Sequence, residues 1–122
     1  MVDRETVRAL AAALPGVVDD STADGIALAA GGRGIAWTFM ERVHPKKPRV
    51  PRLPILAVRC PIERKDLLLE VAPDIYFDDP HYLGYPAVLV RLEAIDAEDL
   101  RALLADAAGW AVAAPPKRPR KV

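Results

Sequence analysis

The 122-residue chain contains no Asn, no Gln, a single Ser (Ser21), a single Cys (Cys60) and two His, and these scarcities exclude much familiar enzyme chemistry. A Ser-His-Asp triad would depend on Ser21, which stands in the polar stretch Asp19-Asp20-Ser21-Thr22 without the glycines of a nucleophile elbow. A Cys-His pair would need Cys60 with His44 or His81. Cys60 closes the apolar run 53–60 and precedes Pro61, a context that suits a small buried side chain better than a thiolate. One cysteine forms no internal disulfide, in keeping with a reducing compartment. Two histidines and one thiol without CxxC spacing give no zinc site, and a GxxxxGK[ST] phosphate loop is absent. Neither a metal nor a cofactor is expected. No apolar run approaches the roughly 18 residues of a membrane span, and the acids Asp3 and Glu5 stand where a secretory signal would be basic. The expectation is a soluble, cytoplasmic protein with no membrane partner, its oligomeric state left open.

What is present suits one domain. A hydrophobic share of 52% fills a core and 28% charge keeps a surface in water, at a length typical of a single compact unit. Residues 3–14 show apolar positions at helical spacing (Val7, Leu10, Ala11, Leu14) with Asp3 as the N-cap. Residues 25–30 and 34–40 read as a hairpin around Gly31-Gly32-Arg33-Gly34, with Ile35, Trp37 and Phe39 on one core-facing side. Residues 53–59 read as a third strand, an edge strand or one starting late because of Pro54. Pro61 opens a second helix with Leu67, Leu68 and Val71 as its buried face. A short strand at 75–77, the strongest strand at 86–93 and a helix from Asp96, with the stripe Leu100, Leu103, Leu104 and Ala107, complete the order α-β-β-β-α-β-β-α. The expected class is α+β, an antiparallel-rich sheet packed by helices. Residues 1–114 form the domain, and 115–122 a basic, proline-rich tail expected to be flexible.

The formal net charge is zero, but the charges are segregated. Residues 42–52 hold Arg42, Lys46, Lys47, Arg49 and Arg52, and the tail holds Lys117, Arg118, Arg120 and Lys121, with no acid in either segment. These nine leave eight basic residues against all 17 acids elsewhere, a net of −9. The proline density of 42–52 predicts a loop. Such segments suit phosphate contact, because Lys and Arg displace condensed counterions there. The alternative is a solubilising tail and a loop lying on the acidic body as its counter-charge. Without Asn or Gln to read adenine, any nucleic-acid binding is expected to be weak, salt-sensitive and of low sequence specificity.

A second cluster is aromatic: Tyr76, Phe77, His81, Tyr82 and Tyr85, flanked by Asp78 and Asp79. One reading is a small-ligand or base-stacking pocket of Asp79, His81, Tyr82 and Tyr85, with His81 and Asp79 as a proton-transfer pair. The other is a loop whose rings plug the junction of sheet and helix while His81 caps a backbone group. Trp37 and Trp110 read as core or core-edge residues.

LPGV at 14–17, the strand of Trp37 and Phe39, IERKDLLLEVA at 62–72 and above all DPHYLGYPAVLVRLEAIDAEDLRALLADA at 79–107 together resemble the MmcQ/YjbR family of small bacterial proteins, over roughly residues 5–116. The resemblance implies a compact α+β fold likened to that of frataxin-type proteins, and a DNA-binding role without an enzymatic reaction. Two departures stand out. The aromatic-basic pair near the end of the family block lacks its basic member at Gly109-Trp110, although Pro116-Lys117 follows. The insert 42–52 is longer and richer in proline than the family pattern, so its role rests on this sequence alone. The functional expectation is a non-enzymatic nucleic-acid-associated protein using the two basic segments. The alternative is a small-molecule or protein-binding domain built on the turn around His81.

Overall fold

The computed structural model describes residues 2–42 and 44–113. Asp3 caps the first helix, α1 (Arg4–Ala12), its carboxylate accepting from the Thr6 N–H at 2.8 Å and from the Thr6 hydroxyl at 2.7 Å. Val7 and Ala11 are buried, with Leu10 and Leu14 packed at the margin of the core. Gly16, at φ +77°, turns the chain into β1 (Val17–Asp19), a short strand absent from the expected order. Then come β2 (Ala27–Ala30) and β3 (Arg33–Glu41), joined by Gly31 and Gly32 at φ +59° and +77° with Ala30 opposite Arg33. Two central residues with positive φ make the tight turn that matches strand twist, which is why glycine occupies both positions. The chain continues through β4 (Val50–Arg59), α2 (Ile62–Val71), β5 (Tyr76–Phe77), a 3-10 turn (Pro80–Tyr82), β6 (Ala87–Arg91) and α3 (Ala97–Ala113). All neighbours in the sheet, ordered β1-β2-β3-β4-β6-β5, pair antiparallel. The α+β class and the expected element order are both present, with β1 and the 3-10 turn added.

The three helices lie on one face. Leu28, Leu56, Val58, Val88 and Val90 of the sheet meet Val7 of α1 and Leu100 and Leu104 of α3 there, all at most 2% exposed. The opposite face carries a smaller cluster of Phe39, Ala57, Ala87 and Leu89, edged by Trp37, Ile55 and Phe77. A bulge changes the expected facing of β3. Leu28 pairs with Ala36 and Ala29 with Gly34, so Ile35 has no partner in β2. Strict alternation is interrupted at that point. Ile35 and Ala36 both join the helix-side core, while Trp37 and Phe39 face the other way. Ile35 therefore does not share a face with the two aromatics.

Three further expectations are corrected. The loop is shorter than 42–52, since Glu41 pairs with Val50, Met40 with Pro51 and Phe39 with Arg52. β6 pairs with β4 only from Ile55 onward, so Pro51 falls where β3 is the single neighbour of β4, and Pro54 falls in the irregularity between the pairs Phe39–Arg52 and Thr38–Leu56, both places a sheet tolerates proline. Beyond Ile55, β4 is an interior strand between β3 and β6. On α2, Leu67 and Val71 are exposed, and the buried stripe is Lys65 with the partly buried Leu68, Leu69 and Ala72.

Candidate nucleic-acid interface and aromatic pocket

The turn 78–86 folds over the sheet face that the helices leave open. Tyr82 packs on Phe39 with ring centroids 6.0 Å apart, and its hydroxyl accepts from the Trp37 indole N–H at 2.9 Å. The turn is held from below by Lys65. Its ammonium, 2% exposed, donates to the carbonyls of Tyr82 at 2.6 Å and Tyr85 at 3.1 Å and lies 3.1 Å from the Asp78 carboxylate. A buried ammonium is costly unless it is hydrogen-bonded and paired, and the three acceptors around this one meet that need. Sequence reasoning missed Lys65, although Lys65, Leu68, Leu69 and Ala72 follow helical i, i+3, i+4, i+7 spacing.

His81, Tyr82 and Tyr85 come together with Trp37 around a cavity of about 300 Å³. The His81 and Tyr85 rings lie 5.4 and 5.7 Å from that of Tyr82, at interplanar angles of 87° and 69°. Tyr82 is buried, whereas His81 and Tyr85 are exposed. Asp79 is not part of this wall. Its carboxylate accepts from the His81 backbone N–H at 2.9 Å and so caps the 3-10 turn. The capping group is thus Asp79, and His81, expected to cap a backbone group, instead supplies the capped N–H. The Tyr82 ring is buried on the helix-free face of the sheet with Phe39, Ala57, Ala87 and Leu89, and not at a junction of sheet and helix.

Three arginines border the same face. Arg59 donates to the Gly34 carbonyl at 2.6 Å, and its guanidinium lies 6.0 Å from the Trp37 ring centroid and 5.7 Å from that of Trp110. Arg91 stacks on Phe77 at 4.1 Å and donates to the Pro73 carbonyl at 3.2 Å. Arg52 pairs with Glu41 at 2.5 Å. Arg52, Ile55 and Arg91, with Glu93 at the rim, line a cleft of about 500 Å³. The cross-strand register signals this grouping, since Ile55 faces Arg91 and Arg59 faces Ala87.

In the β3–β4 loop, Arg42 and Arg49 donate to the carbonyls of Pro45 and Met40 at 3.0 and 3.3 Å. Lys46 and Lys47 are exposed and make no ion pair among the described residues. Lys117, Arg118, Arg120 and Lys121 lie outside the described residues. The end of α3 is nonetheless placed. Val112 packs beside Gly31, and the Arg33 guanidinium donates to the Ala111 carbonyl at 3.5 Å. That is the opposite end of β3 from the basic loop.

Other candidate nucleophiles are structural. The Ser21 hydroxyl accepts from the Ala27 N–H at 3.0 Å. Cys60 is buried, and burial pushes its thiol up to about 11. Among the described residues no group of His, Cys, Asp and Glu could hold a metal ion, and no helix is long and apolar enough to cross a membrane.

No protein-family model matches the chain, and no solved structure matches it. It is similar to uncharacterised proteins of Mycobacterium tuberculosis and Mycobacterium bovis, 47% identical over 51 residues. That stretch covers 42% of this chain and 38% of the mycobacterial proteins, so the chain spans well under half the length of the curated relatives it matches.

Proposed function

We propose that the chain is a non-enzymatic, cytoplasmic nucleic-acid-binding module of the MmcQ/YjbR type that makes weak, mostly phosphate-backbone contacts through its β3–β4 loop. The observation that carries this reading is the state of the loop's cations. Of Arg42, Lys46, Lys47, Arg49 and Arg52, only Arg52 is paired with an acid among the described residues. Arg42, Lys46 and Lys47 are exposed, Arg49 is half-buried, and Arg42 and Arg49 donate to backbone carbonyls alone, so none of the four meets a carboxylate among the described residues, in contrast to Lys65, which meets Asp78. This favours the reading of a free cationic surface over that of a loop folded down as counter-charge to the acidic body.

Fluorescence anisotropy with a short duplex, titrated from low to physiological salt, tests it. Each phosphate contact adds about 0.9 to the slope of log affinity against log salt. The double variant Lys46→Glu/Lys47→Glu should weaken binding and lower that slope by about 2. Absence of binding at low salt, or a variant indistinguishable from the natural chain, overturns the reading.

A further inference from the structure

We propose that the cavity of Trp37, His81, Tyr82 and Tyr85 is a stacking site for one unpaired nucleobase, so that a single strand is held by a base as well as by its phosphates. The inference rests on the nucleic-acid reading above and adds to it the part of the molecule that senses bases. A volume of about 300 Å³ lies at the small end of ligand pockets, large enough for one planar ring system. Tyr82 is buried as the floor of the site, while the His81 and Tyr85 rings, at 87° and 69° to it, are exposed and supply the faces on which a base can stack. The Trp37 N–H is committed to the Tyr82 hydroxyl, which leaves the indole its π surface to offer. The Tyr85 hydroxyl and the His81 imidazole form no side-chain hydrogen bond among the described residues and can meet the polar edge of a base.

Charge decides between occupants. An aromatic box can also hold a quaternary ammonium ion. Here the Arg59 guanidinium stands 6.0 Å from the Trp37 centroid, which opposes a cation and suits the phosphate that accompanies a base. From Trp37 the open face continues four residues along β3 to Glu41, about 13 Å, where the basic loop begins. Arg91 and Arg52 lie along the neighbouring strands of that face. A strand whose base enters the pocket therefore meets cations along its backbone. A duplex offers no free base without an unstacking cost of about a few kcal/mol.

The test compares three probes at one low salt concentration: a short oligothymidylate, an abasic strand of the same length, and the corresponding duplex. Stacking of one base predicts that the oligothymidylate binds about tenfold more tightly than the abasic strand. Tyr85→Ala and His81→Ala, both at exposed positions, should each remove much of that advantage while leaving the abasic strand and the duplex unchanged. Equal affinity of the natural chain for oligothymidylate and abasic strand overturns the stacking site while the phosphate reading stands. So does a variant whose loss falls equally on all three probes. Failure of all three probes to bind overturns the nucleic-acid reading itself, and the stacking site with it.

Discussion

Replacing Lys65 by methionine tests the tether beneath the aromatic turn. Methionine keeps most of the unbranched stem and removes the ammonium, which lies 2.6 and 3.1 Å from the carbonyl oxygens of Tyr82 and Tyr85 and 3.1 Å from Asp78. The change strips two carbonyls of their donor and leaves the Asp78 carboxylate, whose side chain is only 20% exposed, without its cation. Hydrogen bonds to charged groups contribute about 1.5–3 kcal/mol each, and breaking a buried pair from one side costs about 3–5 kcal/mol. These figures describe the same ammonium and overlap, so about 3–5 kcal/mol is expected for the whole. A domain of this length has a total stability of order 6–18 kcal/mol, at about 0.05–0.15 kcal/mol per residue. Urea unfolding followed by far-ultraviolet circular dichroism should show a clear fall in midpoint with the slope unchanged. Adding Asp78→Asn to Lys65→Met should recover about 1–2 kcal/mol, because the stranded charge is gone. A loss under about 1 kcal/mol, or an Asp78→Asn change as costly in the double variant as alone, would refute the claim that this ion pair holds the turn.

Two other perturbations read the core. Burial raises the Cys60 thiol from 9.0 to about 11, so the unfolded chain ionises first, and the thiol's contribution to stability should be flat below pH 9 and fall by on the order of 1–2 kcal/mol towards pH 11. Cys60→Ala should flatten that part of the pH profile, and an unaltered alkaline slope would contradict the assignment. A Cβ on Gly25 would stand 2.8 Å from both Cβ and Oγ1 of Thr38, whose hydroxyl accepts from the Ile26 N–H at 2.8 Å. Gly25→Ala should cost about 1–3 kcal/mol in thermal unfolding, and an effect near zero would show that β3 yields there easily.

Periodicity made the helices and the central strands legible. Asp3 and Asp96 both cap as their positions suggest, the latter accepting from the Asp99 N–H at 2.8 Å. The errors arose where one local rule met a tertiary one. Proline density argued against pairing at 50–52, yet a strand with a single neighbour accommodates it. Alternation put Ile35 with Trp37, and a bulge that depends on the register with β2 separated them. Lys65 is not among the residues expected on the buried face of α2, because the three acceptors that hold it come from residues 13 to 20 positions away. Of the pocket residues, His81, Tyr82 and Tyr85 were legible as an aromatic cluster. Trp37 was not, since only the hydrogen bond to Tyr82, 45 positions along the chain, brings it there.

The segregation of charge acquires a geometry from β3. The basic loop follows its last residue, Glu41, while α3 ends beside Gly31, just before its first. Eight residue steps separate the two ends of the strand, about 26 Å. A polyanion touching both the loop and the end of α3 must therefore run the length of the sheet, about eight base pairs of duplex. The helix-covered face does not offer that path, because Glu63, Asp66 and Glu70 of α2 and Asp99 of α3 are exposed there and make no ion pair among the described residues. The open face does, since between its ends lie Arg59, Arg91 and Arg52, and its one paired acid on β3, Glu41, is already neutralised by Arg52. A zero net charge is thus compatible with a cationic track, provided that contact is confined to the face bearing Trp37 and the loop that follows it.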